Sequence, residues 1–128
     1  MDNRIQFRLR LMHGDTIALG PGKVAVLEAI VETGSINAAA KRLGMSYRRT
    51  WQLVDAMNRA FRKPLVRTAI GGSHGGGTVV TEAGQRVIEL YRRVEMNAKR
   101  ASSDELRTLT GMMADRVAPP SARDADAD

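Results

Sequence analysis

The stretch GMSYRRTWQ, residues 44–52, sets Arg48 and Arg49 side by side between Tyr47 and Trp51, with Gln52 directly after. These residue types can read nucleic acid. A guanidinium bonds bidentately to guanine O6 and N7, and a glutamine amide does the same with adenine N6 and N7. Ser46 is a helix N-cap, so the arginines fall in the first turn of a helix, where backbone N–H groups and the positive end of the dipole also favour phosphate. The hydroxyls of Ser46 and Tyr47 suit phosphate contacts. Trp51, four residues after Tyr47, fits either a half-buried anchor or a ring facing DNA.

The surrounding charge supports a polyanion partner. The chain has 128 residues and a net charge of +6, yet residues 35–77 hold 8 Lys and Arg against Asp55 alone. A solvated helix face ordinarily mixes both signs. Residues 1–100 sum to about +9, whereas 101–128 sum to about −3, giving a cationic body and an acidic tail. The chain has no cysteine, so neither a disulfide framework nor a thiolate metal site is available, and a reducing, cytoplasmic setting is expected. No apolar run near the start suits a signal peptide or membrane span.

Catalytic patterns are missing from the sequence. His13 and His74 lie in separate turns, outside any H-E-x-x-H cluster, and no G-x-S-x-G occurs. The glycine-rich run 71–77 lacks the Gly-Lys-Ser/Thr of a nucleotide-binding loop, and it does not fit G-x-G-x-x-G. No enzyme activity, cofactor or metal is expected.

The elements that must hold the arginines follow from periodicity. Arg4–Met12 alternates, with Ile5, Phe7, Leu9 and Leu11 on one face, which predicts a half-buried strand turned by His13-Gly14-Asp15. Pro21 opens a helix with Val24, Leu27, Ile30 and Val31 at helical spacing, running to about Glu32. Thr33-Gly34 ends it. Ser35 caps a short second helix carrying Ile36, Ala39, Ala40 and Leu43, and Gly44 closes that helix. Ser46 then caps a third helix to about Phe61, with Leu53, Val54, Met57 and Phe61 as its apolar stripe and Thr50 at the edge. Leu65–Ile70 and Thr78–Val80 predict a hairpin around the glycine run. Thr81 caps a long final helix to about Arg100, its stripe formed by Ala83, Val87, Leu90, Tyr91, Val94 and Ala98. Residues 102–114 suggest one more helix, and the proline-broken acidic end is expected to be disordered. The fold class is mainly α with a small β component: a winged helix-turn-helix with a long C-terminal dimerisation helix. Its DNA-binding domain is expected over 1–100, with a weak helix and acidic tail over 101–128.

The stretch GSINAAAKRLGMSYRRTWQLVDAMN (34–58), the Leu65-Val66-Arg67 strand, the GGSHGGGTVVT hairpin and TEAGQRVIELYRRVE resemble the DNA-binding domain of ModE-type molybdate-responsive regulators. The helix-turn-helix part and the T-E-A-G opening are also similar to LysR-type regulators. The resemblance covers about residues 5–100 and implies a DNA-binding transcriptional regulator concerned with molybdenum homeostasis. It implies double-stranded DNA as partner, a homodimer, and a separate sensor protein, because the last 28 residues do not match the molybdate-binding β-barrel modules of that family. The candidate DNA-binding residues are Ser35, Asn37, Ser46, Tyr47, Arg48, Arg49, Gln52, Gly72, His74, Gly75 and Gly76. The candidate dimerisation residues are Val87, Ile88, Leu90, Tyr91 and Val94. The alternatives are a winged-helix module for protein interaction, and direct oxyanion binding by the amides of 71–77.

Overall fold

The computed structural model describes residues 5–69, 77–116 and 119–120. It is mainly helical with two small antiparallel hairpins. In chain order these are β1 (Leu11–His13), β2 (Thr16–Leu19), α1 (Pro21–Thr33), α2 (Ile36–Leu43), α3 (Tyr47–Ala60), β3 (Val66–Ala69), β4 (Gly77–Val80), α4 (Glu82–Ala101) and α5 (Ser103–Gly111). The first hairpin corrects the expected strand over 4–12. Residues 5–10 belong to no strand, and Thr16–Leu19, beyond the turn at His13-Gly14-Asp15, forms the partner. A ladder extends only as far as both chains reach. Leu19, Ile17 and Thr16 of β2 pair with Leu11, Met12 and His13, with an irregularity between Leu11 and Met12. Of the alternating apolar set, Leu9 packs on the core, whereas Ile5 and Leu11 are exposed.

Helix α1 starts on Pro21, whose missing N–H costs nothing there. It ends where Gly34 takes a φ of 69° and its N–H bonds to Ile30 O at 2.7 Å. That left-handed cap favours glycine. The expected stripe on α1 needs correction too: Val31 is exposed, while Val26 and Ala29 are buried with Val24, Leu27 and Ile30. The helix packs on α2, α3, α4 and β4, and so it is covered around most of its circumference rather than along one stripe. Helix α2 presents Ala39 and Ala40, both buried, so its backbone can lie close to its neighbours.

Two polar devices fix the second hairpin to the helices. Asn58 on α3 donates from Nδ2 to Val66 O at 2.9 Å and accepts at Oδ1 from the N–H groups of Leu65 (2.8 Å) and Val66 (3.1 Å). On the other strand, the N–H of Thr78 donates to Gly34 O at 2.9 Å, at the joint between α1 and α2. β3 and β4 pair in register from Val66–Val80 to Ala69–Gly77.

Helix α4 is capped by Thr81, whose Oγ1 accepts from the Gly84 N–H at 3.1 Å and donates to Pro64 O at 2.7 Å. Gly84 is buried against the strand: a Cβ there would stand 2.3 Å from Leu65 O and 2.5 Å from Val80 Cγ1. Tyr91, one turn beyond Val87, is buried and donates its hydroxyl to Leu9 O at 2.9 Å, which ties the N-terminal segment to α4. Helix α5 has no buried residue.

Candidate nucleic-acid interface

The first turn of α3 is set by its cap. Ser46 Oγ accepts from the Arg49 N–H at 3.0 Å, and Ser46 O accepts from both the N–H and the hydroxyl of Thr50. Thr50, expected at the edge of the apolar stripe, is wholly buried, and its hydroxyl is satisfied by that bond. With Thr50, Val54 and Met57 turned inward, the opposite face carries Tyr47, Arg48, Arg49, Trp51 and Gln52, all exposed. Trp51 is 48% exposed, which excludes a core position and leaves about half of the residue open to solvent. With Arg67 and Thr68 of β3 and Thr78 of β4 it borders a recess of about 150 Å³, so this face of α3 runs onto the hairpin stem.

The electrostatics of this face differ from those of an ordinary helix surface. Arg48 and Arg49 make no ion pair among the described residues; on α3 only Arg59 does, to Asp55 at 3.1 Å. Lys23, near the start of α1, donates to Ile17 O. Its pKa is lowered first by burial and then by the positive charge of Arg49. Two cations from different helices therefore repel each other at the edge of the face, and neither has an ion-pair partner among the described residues.

The other expected positions divide. Ser35 is half-buried and caps α2 by accepting from the Ala38 N–H at 3.1 Å, and Asn37 on that helix is exposed. Gly72, His74, Gly75 and Gly76 lie outside the described residues. On α4, Leu90 and Val94 are exposed, whereas Val87 and Ile88 lean on the core. Tyr91 corrects the expected dimerisation set, since its ring is enclosed by its own chain and its hydroxyl is already bonded to Leu9 O. Among the described residues, no group of three His, Cys, Asp or Glu could hold a metal ion.

Sequence reasoning missed Asn58, Gly84 and Lys23. Gly84 had a signal: an isolated glycine inside a helical pattern implies a packing reason. Asn58 had a weaker one, since asparagine late in a helix often bonds to backbone elsewhere. Nothing local marks Lys23.

Comparison with known proteins agrees with this geometry. Residues 22–85 match the family described as bacterial regulatory helix-turn-helix protein, lysR family. The molybdenum transport protein ModE of Azotobacter vinelandii is 40% identical over 97 residues, covering 73% of this chain and 36% of that protein. The molybdenum-pterin-binding protein MopB of Rhodobacter capsulatus is 47% identical over 88 residues, covering 68% and 33%. The DNA-binding transcriptional dual regulator ModE of Escherichia coli K12 is 36% identical over 98 residues, covering 73% and 37%. The chain thus spans about a third of the length of the curated relatives it matches. Among solved structures, the full-length LTTR LysG from Corynebacterium glutamicum with bound effector Arg superposes with a TM-score of 0.52 at 21% identity, covering 73% of this chain and 30% of that one, a likeness of fold.

Proposed function

The chain belongs to the bacterial regulatory helix-turn-helix proteins of the lysR family, and from that premise we propose that it regulates transcription by binding operator DNA through α3 and the β3–β4 wing. The observation that carries this is the first two turns of α3, where Arg48, Arg49 and Gln52 stand exposed and the arginines have no ion-pair partner among the described residues. Such a face gains most from a polyanion, and its side chains match base edges in the major groove. Ser46 and Tyr47 supply phosphate contacts beside it, with Ser35 and Asn37 of α2 and Gly72, His74, Gly75 and Gly76 of the wing completing the set. The role is binding, without catalysis.

The curated relatives carry names tied to molybdenum transport and molybdenum-pterin binding, which supports regulated genes in molybdenum homeostasis. Among the described residues no helix is long and apolar enough to cross a membrane, in keeping with a place beside DNA in the cytoplasm. The functional unit in this reading is a two-fold dimer through α4, where Leu90 and Val94 are exposed at a spacing of four residues. Two-fold symmetry sets paired recognition helices roughly 34–36 Å apart, or a multiple of that, and demands inverted half-sites.

Selection of bound sequences from random duplex DNA, followed by footprinting, tests the reading. An inverted repeat protected on both halves is the expected result. No enrichment over random sequence at low salt would sink the DNA-binding reading, and a single protected half-site would sink the dimer alone.

A further inference from the structure

We propose that the groove between the first hairpin and α3 is a clamp for one phosphate of the DNA backbone, formed by Arg10, Lys23 and Arg49. The inference rests on the DNA-binding reading and extends the contact surface from α3 to Arg10, before β1, and to Lys23, at the start of α1. The groove has a volume of about 650 Å³, and the three cations reach it from separate elements: the segment before β1, the start of α1 and the first turn of α3. Gln52 adds an amide donor, and Asp15 is the single carboxylate on the lining. Among the described residues none of the three cations forms an ion pair, with Asp15 or with any other carboxylate.

Three positive groups drawn to one concavity repel, and Lys23 shows the effect, since Arg49 adds to burial in lowering its pKa. An anion seated between them turns that repulsion into attraction. Lys23 is also held in position. Its ammonium donates to Ile17 O at the groove wall, which leaves two of its three N–H donors for a ligand. Gly22, at the lip, has open space where a side chain would begin, so a backbone can approach closely. Convergent full charges suit a phosphate, which carries a full negative charge, better than a base edge, which carries only partial ones. A free ion in a groove open to water would exchange one hydration shell for another. A phosphate delivered by a duplex already docked on α3 does not lose its freedom a second time.

The test measures operator affinity against salt for the parent and for Lys23→Gln, Arg10→Gln and Lys23→Arg. Each glutamine variant should lower the slope of log K against log salt by about 0.9, the change for one lost phosphate contact. Affinity for all operator variants should fall alike, and Lys23→Arg should keep the parental slope. Melting temperatures identify any variant that fails through folding, and Arg10→Gln, on an exposed side chain, keeps the test open if Lys23→Gln unfolds. Parental slopes in both glutamine variants, or a loss confined to one base position, would overturn the clamp while leaving DNA binding in place. Inorganic phosphate alone raising the parent's melting temperature, but not that of Lys23→Gln, would reassign the groove to a free anion. A parent that binds no DNA at all removes the clamp together with the reading beneath it.

Discussion

Arginine does two different jobs in this chain, and the contrast between α3 and α4 shows what separates them. On α4, Arg86 and Arg93 both reach Glu89, and Arg92 bridges Glu95 on its own helix and Glu28 on α1. Its Nε donates to Glu28 Oε2 at 3.0 Å across 64 residues of sequence. The carboxylates of Glu28 and Glu95 raise the pKa of Arg92, and the pair pins α4 to α1. On the first turn of α3, Arg48 and Arg49 are just as exposed but have no carboxylate beside them among the described residues. A paired arginine is already committed to the fold, whereas an unpaired one keeps its attraction for an outside anion. Composition counts both kinds alike, and only position tells them apart.

Five substitutions probe that division, in descending order of expected effect. Gly84→Ala strikes the structural side hardest, because the new methyl would meet the Leu65 carbonyl, a backbone atom with little room to shift. Its cost should reach or exceed the upper end of the roughly 1–3 kcal/mol typical of overpacking. A denaturant titration checks this, and a parental midpoint would show that α4 can slide off the strand at little cost.

Arg48→Ala and Arg49→Ala should act on the other side only. Arg48→Ala is expected to weaken operator binding by about 1–3 kcal/mol if it reads a base, and to relax one operator position, whereas Arg49→Ala, at the phosphate groove, should weaken all operator variants alike. Their melting temperatures should stay at the parental value, since neither side chain has an ion-pair partner among the described residues to lose. Gel-shift titrations over a set of operator variants, run beside thermal melts, decide it. A drop in stability with intact binding would erase the contrast between the two helices.

Asn58→Asp tests the link between the regions. A carboxylate keeps the acceptor for the Leu65 and Val66 N–H groups but cannot donate to Val66 O. Leaving that carbonyl unpaired should cost about 1–3 kcal/mol, toward the lower end because the side chain is only half-buried. Loosening the wing stem should also weaken DNA binding beyond what the stability loss explains. Stability and affinity that fall in strict proportion would mean that Asn58 serves the fold alone.

Arg92→Gln should show the smallest change. The pair is partly exposed, so solvent screening limits its contribution to about 0–1 kcal/mol, read as a slightly lower melting temperature that high salt narrows. Operator affinity should stay parental. A loss of DNA binding without a loss of stability would place α4 in the interface.

The local chemistry of the chain determined its helices and much of its candidate interface. Pro21, Ser35, Gly44, Ser46 and the Thr81 cap on Gly84 act within about one turn of themselves, by removing a donor, capping an N–H or taking a positive φ, and so the starts of α1 to α4 and the end of α2 follow from short stretches of sequence. The Arg48, Arg49 and Gln52 face follows likewise, because helical spacing opposes it to Val54 and Met57. Other features depended on partners distant in sequence, and only the tertiary structure decided them. Whether the alternating N-terminal run forms a strand depended on the reach of β2. Which apolar residues of α1 are buried depended on how many neighbours surround it. Tyr91 belongs to the core rather than to a docking surface because Leu9, 82 residues away, accepts its hydroxyl. Lys23 gained its place beside Arg49 in the same way: local periodicity assigns a residue to a face of its own helix, but what lies against that face is set by the packing of elements remote in the chain.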